Sequence, residues 1–166
     1  MNTITRRLVD GVWQEMIGYP PEKAEAEARR FLEGQPHVAE FCQDATREFD
    51  GGARKAALGL TFLLFKILEA GLGAPFPTVA RRRIADAYQA TTDWLERWEG
   101  AHPGIFLRSI EAGEEFPQPN LIQYLLTVFY RGDPESAEYD AEVRATLFLL
   151  LKTLSDALDI GPAEAA

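Results

Sequence analysis

Apolar side chains recur along this chain at three- and four-residue spacing, interrupted by glycine and proline, and nowhere at the two-residue spacing of a strand. The pattern predicts helices and no sheet. Ile4, Leu8, Val12 or Trp13, and Met16 or Ile17 mark a first helix over 4–17, with Thr3 or Thr5 available as its cap and Gly18 at its end. Pro20 and Pro21 open a second helix, to about 33, because proline suits a first turn whose N–H groups have no helical partner anyway. Its apolar face, Ala24, Ala28, Phe31 and Leu32, is thin and predicts a position near the surface. Gly34 and Pro36 separate it from a third helix with the stripe Val38, Phe41, Cys42, Ala45 and Phe49, closed by Asp50-Gly51-Gly52.

The stretch 56–68 has a different character, since eleven of its thirteen residues carry apolar side chains or none. As a helix it is about 20 Å long, and without a polar face it needs either other helices around it or lipid. Lipid is disfavoured. A membrane span needs about 20 uninterrupted apolar residues, whereas Arg54 and Lys55 precede this run, Lys66 lies inside it and Glu69 follows. The helix, about 53–72, is therefore expected at the buried centre of the fold, with Gly59 where a neighbour can approach closely and Gly71 and Gly73 at its end.

A fifth helix over 79–99, with Thr78 as its cap, carries the stripe Ala80, Ile84, Ala87, Tyr88, Thr91, Trp94, Leu95 and Trp98. A short helix around 105–110 follows, then helices over 120–130 and about 135–158. Eight of the eleven residues in 120–130 are apolar or aromatic, and Leu147-Phe148-Leu149-Leu150-Leu151 points in every direction, too much for one buried stripe. The predicted architecture is all-α: a single domain over 1–162, built as a bundle of seven or eight mostly antiparallel helices around the buried helix at about 53–72, with a frayed tail at 163–166.

Composition narrows the partners. A chain of 166 residues fits one domain. Its net charge of −9 is uneven, with 9 basic and 11 acidic side chains in 1–70 and 8 basic and 15 acidic in 71–166. Such a chain repels phosphate backbones and anionic lipid, so neither nucleic acid nor a membrane is expected as a partner. Cys42 is the only cysteine, which excludes an intrachain disulfide and a cysteine-based zinc site and fits a reducing compartment. The first residues lack a continuous apolar signal region, and a cytoplasmic location is the expectation.

The inventory of reactive groups is thin. His37 follows Pro36 at a helix start, and Glu99-Gly100-Ala101-His102 has the spacing of a di-iron carboxylate site only in name, because Gly100 and Pro103 break the helix it requires and no second copy exists. Ser109, Ser136 and Ser155 occupy no nucleophile elbow, and Gly71-Leu72-Gly73 reads as a helix terminator, not a phosphate loop. Cys42 lies on an apolar stripe and is expected to be buried and inert. No catalytic residue, metal site or cofactor is predicted, and the balance leans away from an enzyme.

Three sets of residues stand out. Arg81, Arg82 and Arg83 put three cations against the dipole of a helix start, where they either pair with carboxylates such as Asp86 or form a site for an anion or an acidic partner. Phe62, Phe65, Tyr88, Trp94 and Trp98 either interlock as core or line a ligand pocket between the helices at 53–72 and 79–99. Tyr124, Val128, Phe148, Leu149 and Leu151 are the candidate interface of a homodimer formed through the last two helices. The leading functional expectation is a non-catalytic module that self-associates or binds a protein partner. The alternative is a small-molecule-binding bundle or an enzyme using the aromatic pocket.

Overall fold

Thr5 accepts a hydrogen bond from the Leu8 N–H through its side chain at 3.2 Å and so starts the first of seven helices found among the described residues. The computed structural model describes residues 3–73, 76–97, 99, 108, 117–130 (backbone alone for 125–130) and 141–160. The helices are α1 (Arg6–Ile17), α2 (Pro21–Gly34), α3 (Pro36–Ala45), α4 (Gly51–Leu72), α5 (Arg81–Glu96), α6 (Pro119–Tyr130) and α7 (Ala141–Leu158). No described residue lies in a strand, so the all-α expectation holds for them. The helix expected at 105–110, the segment 135–140, Trp98, His102 and the tail at 163–166 lie outside the described residues, Arg108 excepted.

Two polar side chains expected at helix boundaries take other partners. Asp50 does not close α3. Its carboxylate accepts from the Ala53 N–H at 2.8 Å, which makes it the N-cap of α4 and places Gly51 and Gly52 in the first turn. Thr78 does not cap α5. Its hydroxyl donates to the Gly34 carbonyl at 2.9 Å, tying the loop to the end of α2, so α5 begins at Arg81 behind Ala80 without a side-chain cap. Gly73 ends α4 at φ 68, in the left-handed region that glycine enters without strain.

Two helices share the interior. α4 packs on α1, α2, α3 and α7, and its second half buries Leu63, Leu64, Phe65, Ile67 and Leu68. α7 packs on α3, α4, α5 and α6, burying Leu147, Phe148, Leu150, Leu151, Leu154, Ala157 and Leu158. With neighbours on several sides, α7 needs apolar side chains on several sides. Gly59 departs from expectation, because a side chain built there would meet nothing within 4 Å: that flank of α4 is open.

Lys66, inside the apolar run, is held by carboxylates of two helices, Glu27 at 3.0 Å and Glu69 at 2.7 Å, and Arg30 binds the same pair. Hydrogen bonds from Arg30 and Lys66 hold the Glu27 carboxyl below its ordinary range. For Glu69, burial alone would raise the carboxyl, but the same two cations outweigh it and the net direction is down. A second polar tie joins the start of the chain to the start of α6 and the end of α7: Gln118 accepts from the Ile4 N–H at 2.8 Å and donates to Asp159 at 3.0 Å, while Asn120 donates to the Ile4 carbonyl at 2.7 Å. α3 and α5 pack on each other and both on α7, whereas α4 and α5 do not pack face to face.

Candidate functional site: a groove between three helices

α3 repeats its groove-facing residues at helical spacing. His37, Glu40, Phe41, Asp44 and Ala45 fall on one side because residues three and four apart are neighbours on a helix surface. From α5, Arg81, Ile84, Ala85 and Tyr88 face them by the same rule. All of these except Ala45 line a cavity of about 190 Å³ between the two helices. A second cavity of about 280 Å³ adjoins it, sharing Phe41, Asp44 and Tyr88 and closed by Ala45 together with Thr146, Leu149 and Leu150 of α7. The two make one groove, mostly apolar throughout, with the charged or ionisable side chains His37, Glu40, Asp44 and Arg81 on its α3/α5 side.

The rings of Phe41 and Tyr88 meet edge to face, with centroids 5.8 Å apart and planes at 70°. Tyr88 keeps 41% of its surface exposed, and its hydroxyl has no hydrogen-bond partner among the described residues. On the α3/α5 side, one guanidinium nitrogen of Arg81 reaches both oxygens of Glu40, at 2.9 and 2.6 Å, and His37 Nδ1 lies 3.7 Å from Glu40. Asp44 accepts from Arg47 at 2.7 Å, an exposed pair. The groove lining contains no serine or cysteine for His37 to activate. Among the described residues, no group of three or more His, Cys, Asp or Glu is placed to hold a metal ion.

The sequence-predicted residues scatter, and three of them meet here. Tyr88 from the pocket set, Arg81 from the cationic set and Leu149 from the interface set all line this groove. The proposed pocket partners lie elsewhere. Phe62 and Phe65 pack on Phe31, with centroids 5.6 and 5.1 Å away, and Phe65 also meets Phe76 at 5.4 Å. Trp94 is buried with the Lys152 amine 5.9 Å from its ring centroid, and Trp98 is outside the described residues. The described members of this set thus do not come together around either of these two cavities, where Tyr88 alone of them is a lining residue.

The three arginines diverge because successive residues point about 100° apart around a helix. Arg81 grips Glu40, Arg82 is exposed and 3.8 Å from Asp86, and Arg83 donates to the Ala157 and Asp159 carbonyls at 2.7 and 3.0 Å. Arg83 thus satisfies carbonyls at the end of α7, where a cation also suits the helix dipole. Of the interface set, Phe148 and Leu151 are 4% and 0% exposed and belong to the chain's own core, so a surface contact cannot use them. Tyr124 is half-buried, and burial with the nearby Asp10 charge raises its hydroxyl pKa. The side chain of Val128 lies outside the described residues.

Cys42 is 2% exposed; burial pushes its thiol up, only partly offset by the Thr61 hydroxyl at 3.6 Å. Phe41, Glu40 and Asp44 were not singled out from sequence, although a signal existed: they straddle the border of α3's apolar stripe, where aromatic and acidic side chains alternate at helical spacing. No described helix is long and apolar enough to cross a membrane. The chain matches no protein-family model, no curated protein and no solved structure with which it was compared.

Proposed function

We propose that the chain is a non-catalytic helical binding module whose ligand surface is the groove of α3, α5 and α7. The observation that carries this is Tyr88, a large aromatic side chain left 41% exposed in the wall of an apolar cavity, with a hydroxyl that the described residues leave unused. A concave apolar surface rimmed by a few polar groups is the usual form of a small-molecule site. The apolar excess of α7 supports the same reading, since most of it is taken up by intrachain packing while Leu149 and Leu150 reach the groove. Within this proposal the helices run mostly antiparallel, the span 53–72 shares the centre with α7, and the lone buried thiol suits a reducing, cytoplasmic setting. The net charge of −9 speaks against nucleic acid as the ligand.

The test is a protein-observed NMR screen of small amphipathic molecules. Shift changes concentrated at Phe41, Asp44, Tyr88 and Leu149 are expected; changes mapping elsewhere, or none across the panel, would overturn the proposal.

A second reading, self-association, has its own support in α1, where Trp13 and Ile17 stand one turn apart with 42% and 62% of their surface exposed. It moves the homodimer contact from the last two helices to the first. Sedimentation of Trp13→Ser beside the parent protein decides it, with a parent dimer and a variant monomer expected, and a monomeric parent ruling it out.

A further inference from the structure

We infer that the groove takes a small hydrophobic organic cation, an aryl- or alkylammonium, with its apolar body between Phe41, Tyr88 and Leu149 and its charged head against Asp44. This rests on the groove being a ligand site, and adds the chemical class of the ligand. Asp44 and the two aromatic rings are the residues shared by both cavities, so a molecule lying along the groove passes all three.

The charges on the α3/α5 side discriminate. Arg81 is already neutralised by Glu40 through two contacts, at 2.9 and 2.6 Å. An incoming anion would have to draw Arg81 away from Glu40 while facing Asp44 one helical turn on. Both pairs reach solvent, but Glu40 is 43% exposed and meets Arg81 through both oxygens, whereas Asp44 meets Arg47 through one. With side-chain exposures of 60% and 71%, Asp44 and Arg47 form a solvated pair that contributes little and exchanges readily. A ligand ammonium can replace the guanidinium there, and gains a ring face of the Phe41–Tyr88 pair, which attracts cations more strongly as water is excluded. A chain of net charge −9 also raises the local concentration of cations. A neutral amphiphile would fill the same apolar space without these gains, and so sets the baseline.

Isothermal titration calorimetry of three ligands of matched shape tests this: 2-phenylethylammonium, neutral 2-phenylethanol and anionic 3-phenylpropionate. The cation should bind about fivefold more tightly than the alcohol at low ionic strength, from a ring contact plus one surface charge pair, with the anion weakest. Added salt should shrink that ratio. Asp44→Asn, an exposed substitution, should bring the cation down to the alcohol's affinity and leave the alcohol unchanged. Arg47→Ala, which removes the internal competitor, should strengthen cation binding about twofold. A cation no tighter than the alcohol, or a preference that survives Asp44→Asn, overturns the charge assignment while the groove stands. Absence of binding by all three overturns both the groove and its ligand class.

Discussion

Arg83 donates to the carbonyls of Ala157 and Asp159, at 2.7 and 3.0 Å, so a residue in the first turn of α5 closes the last turn of α7. Hydrogen bonds from a charged donor to a backbone carbonyl contribute about 2 kcal/mol. Arg83→Ala should lower the free energy of unfolding by about that amount in urea titrations. Arg82→Ala, removing a side chain 92% exposed, should change it by less than about 0.5 kcal/mol. Equal effects would contradict the different roles of these neighbours.

Glu27 and Glu69 set one limb of the pH dependence. Both carboxyls are held below their ordinary 4.5 in the folded chain, so their stabilising contribution is complete above that value and is lost as pH falls through the lowered folded values. Asp156 has the opposite sign: burial raises it despite the paired Lys152, so its contribution is full below 3.8 and disappears as pH rises through the raised value. Thermal melts from pH 6 to pH 3 should therefore show a stability loss that is reduced in the Glu27→Gln, Glu69→Gln double variant.

Two glycines should respond in opposite directions to alanine. At Gly59 a methyl group meets nothing within 4 Å, and replacing a mid-helix glycine should stabilise by about 0.5–1 kcal/mol. At Gly73, with φ 68, alanine would enter the left-handed region and should destabilise by about 1 kcal/mol. Denaturant midpoints of the two variants check both signs, and a destabilised Gly59→Ala would mean that a neighbour does occupy the open flank of α4.

Leu151 and Leu149, two residues apart, should differ in the same way. Leu151→Ala opens a cavity in the core and should cost about 3 kcal/mol, whereas Leu149→Ala at the half-exposed groove wall should cost about 1 kcal/mol or less. The Leu151 effect should not change with protein concentration over the micromolar range, because the side chains packed around Leu151 belong to the same chain. A concentration-dependent destabilisation would restore Leu151 to an interface between copies.

Helix positions were largely legible in the sequence because prolines at 20, 21 and 36 and glycines at 18, 34 and 73 punctuate them. What escaped was what lies across from each helix. Trp13 and Val12 are equally apolar in the sequence, and only packing of α1 on α4 buries Val12 and leaves Trp13 outside. The all-round apolarity of α7 fits an interface or an interior equally well, and the presence of α3, α4, α5 and α6 around it decides for the interior. Arg81 to Arg83 form one cluster in the sequence, where Asp86 is legible as a partner four residues on, yet Glu40 and the end of α7 lie 41 and up to 76 positions away and emerge only once the helices are assembled. Tyr88 was visible as a candidate, but Phe41 opposite it looked like any core residue of a helical stripe.

The groove is tested most directly by filling it. Ala85 lies exposed on α5 and lines the α3/α5 cavity together with Phe41 and Tyr88, so Ala85→Phe places a ring in the groove beside that aromatic pair without disturbing the core. Calorimetric titration with neutral 2-phenylethanol, which is independent of any charge preference, should show binding to the native chain and none to an Ala85→Phe variant of unchanged melting temperature. Equal binding by both proteins, or no binding by the native chain, would contradict a ligand site between α3, α5 and α7.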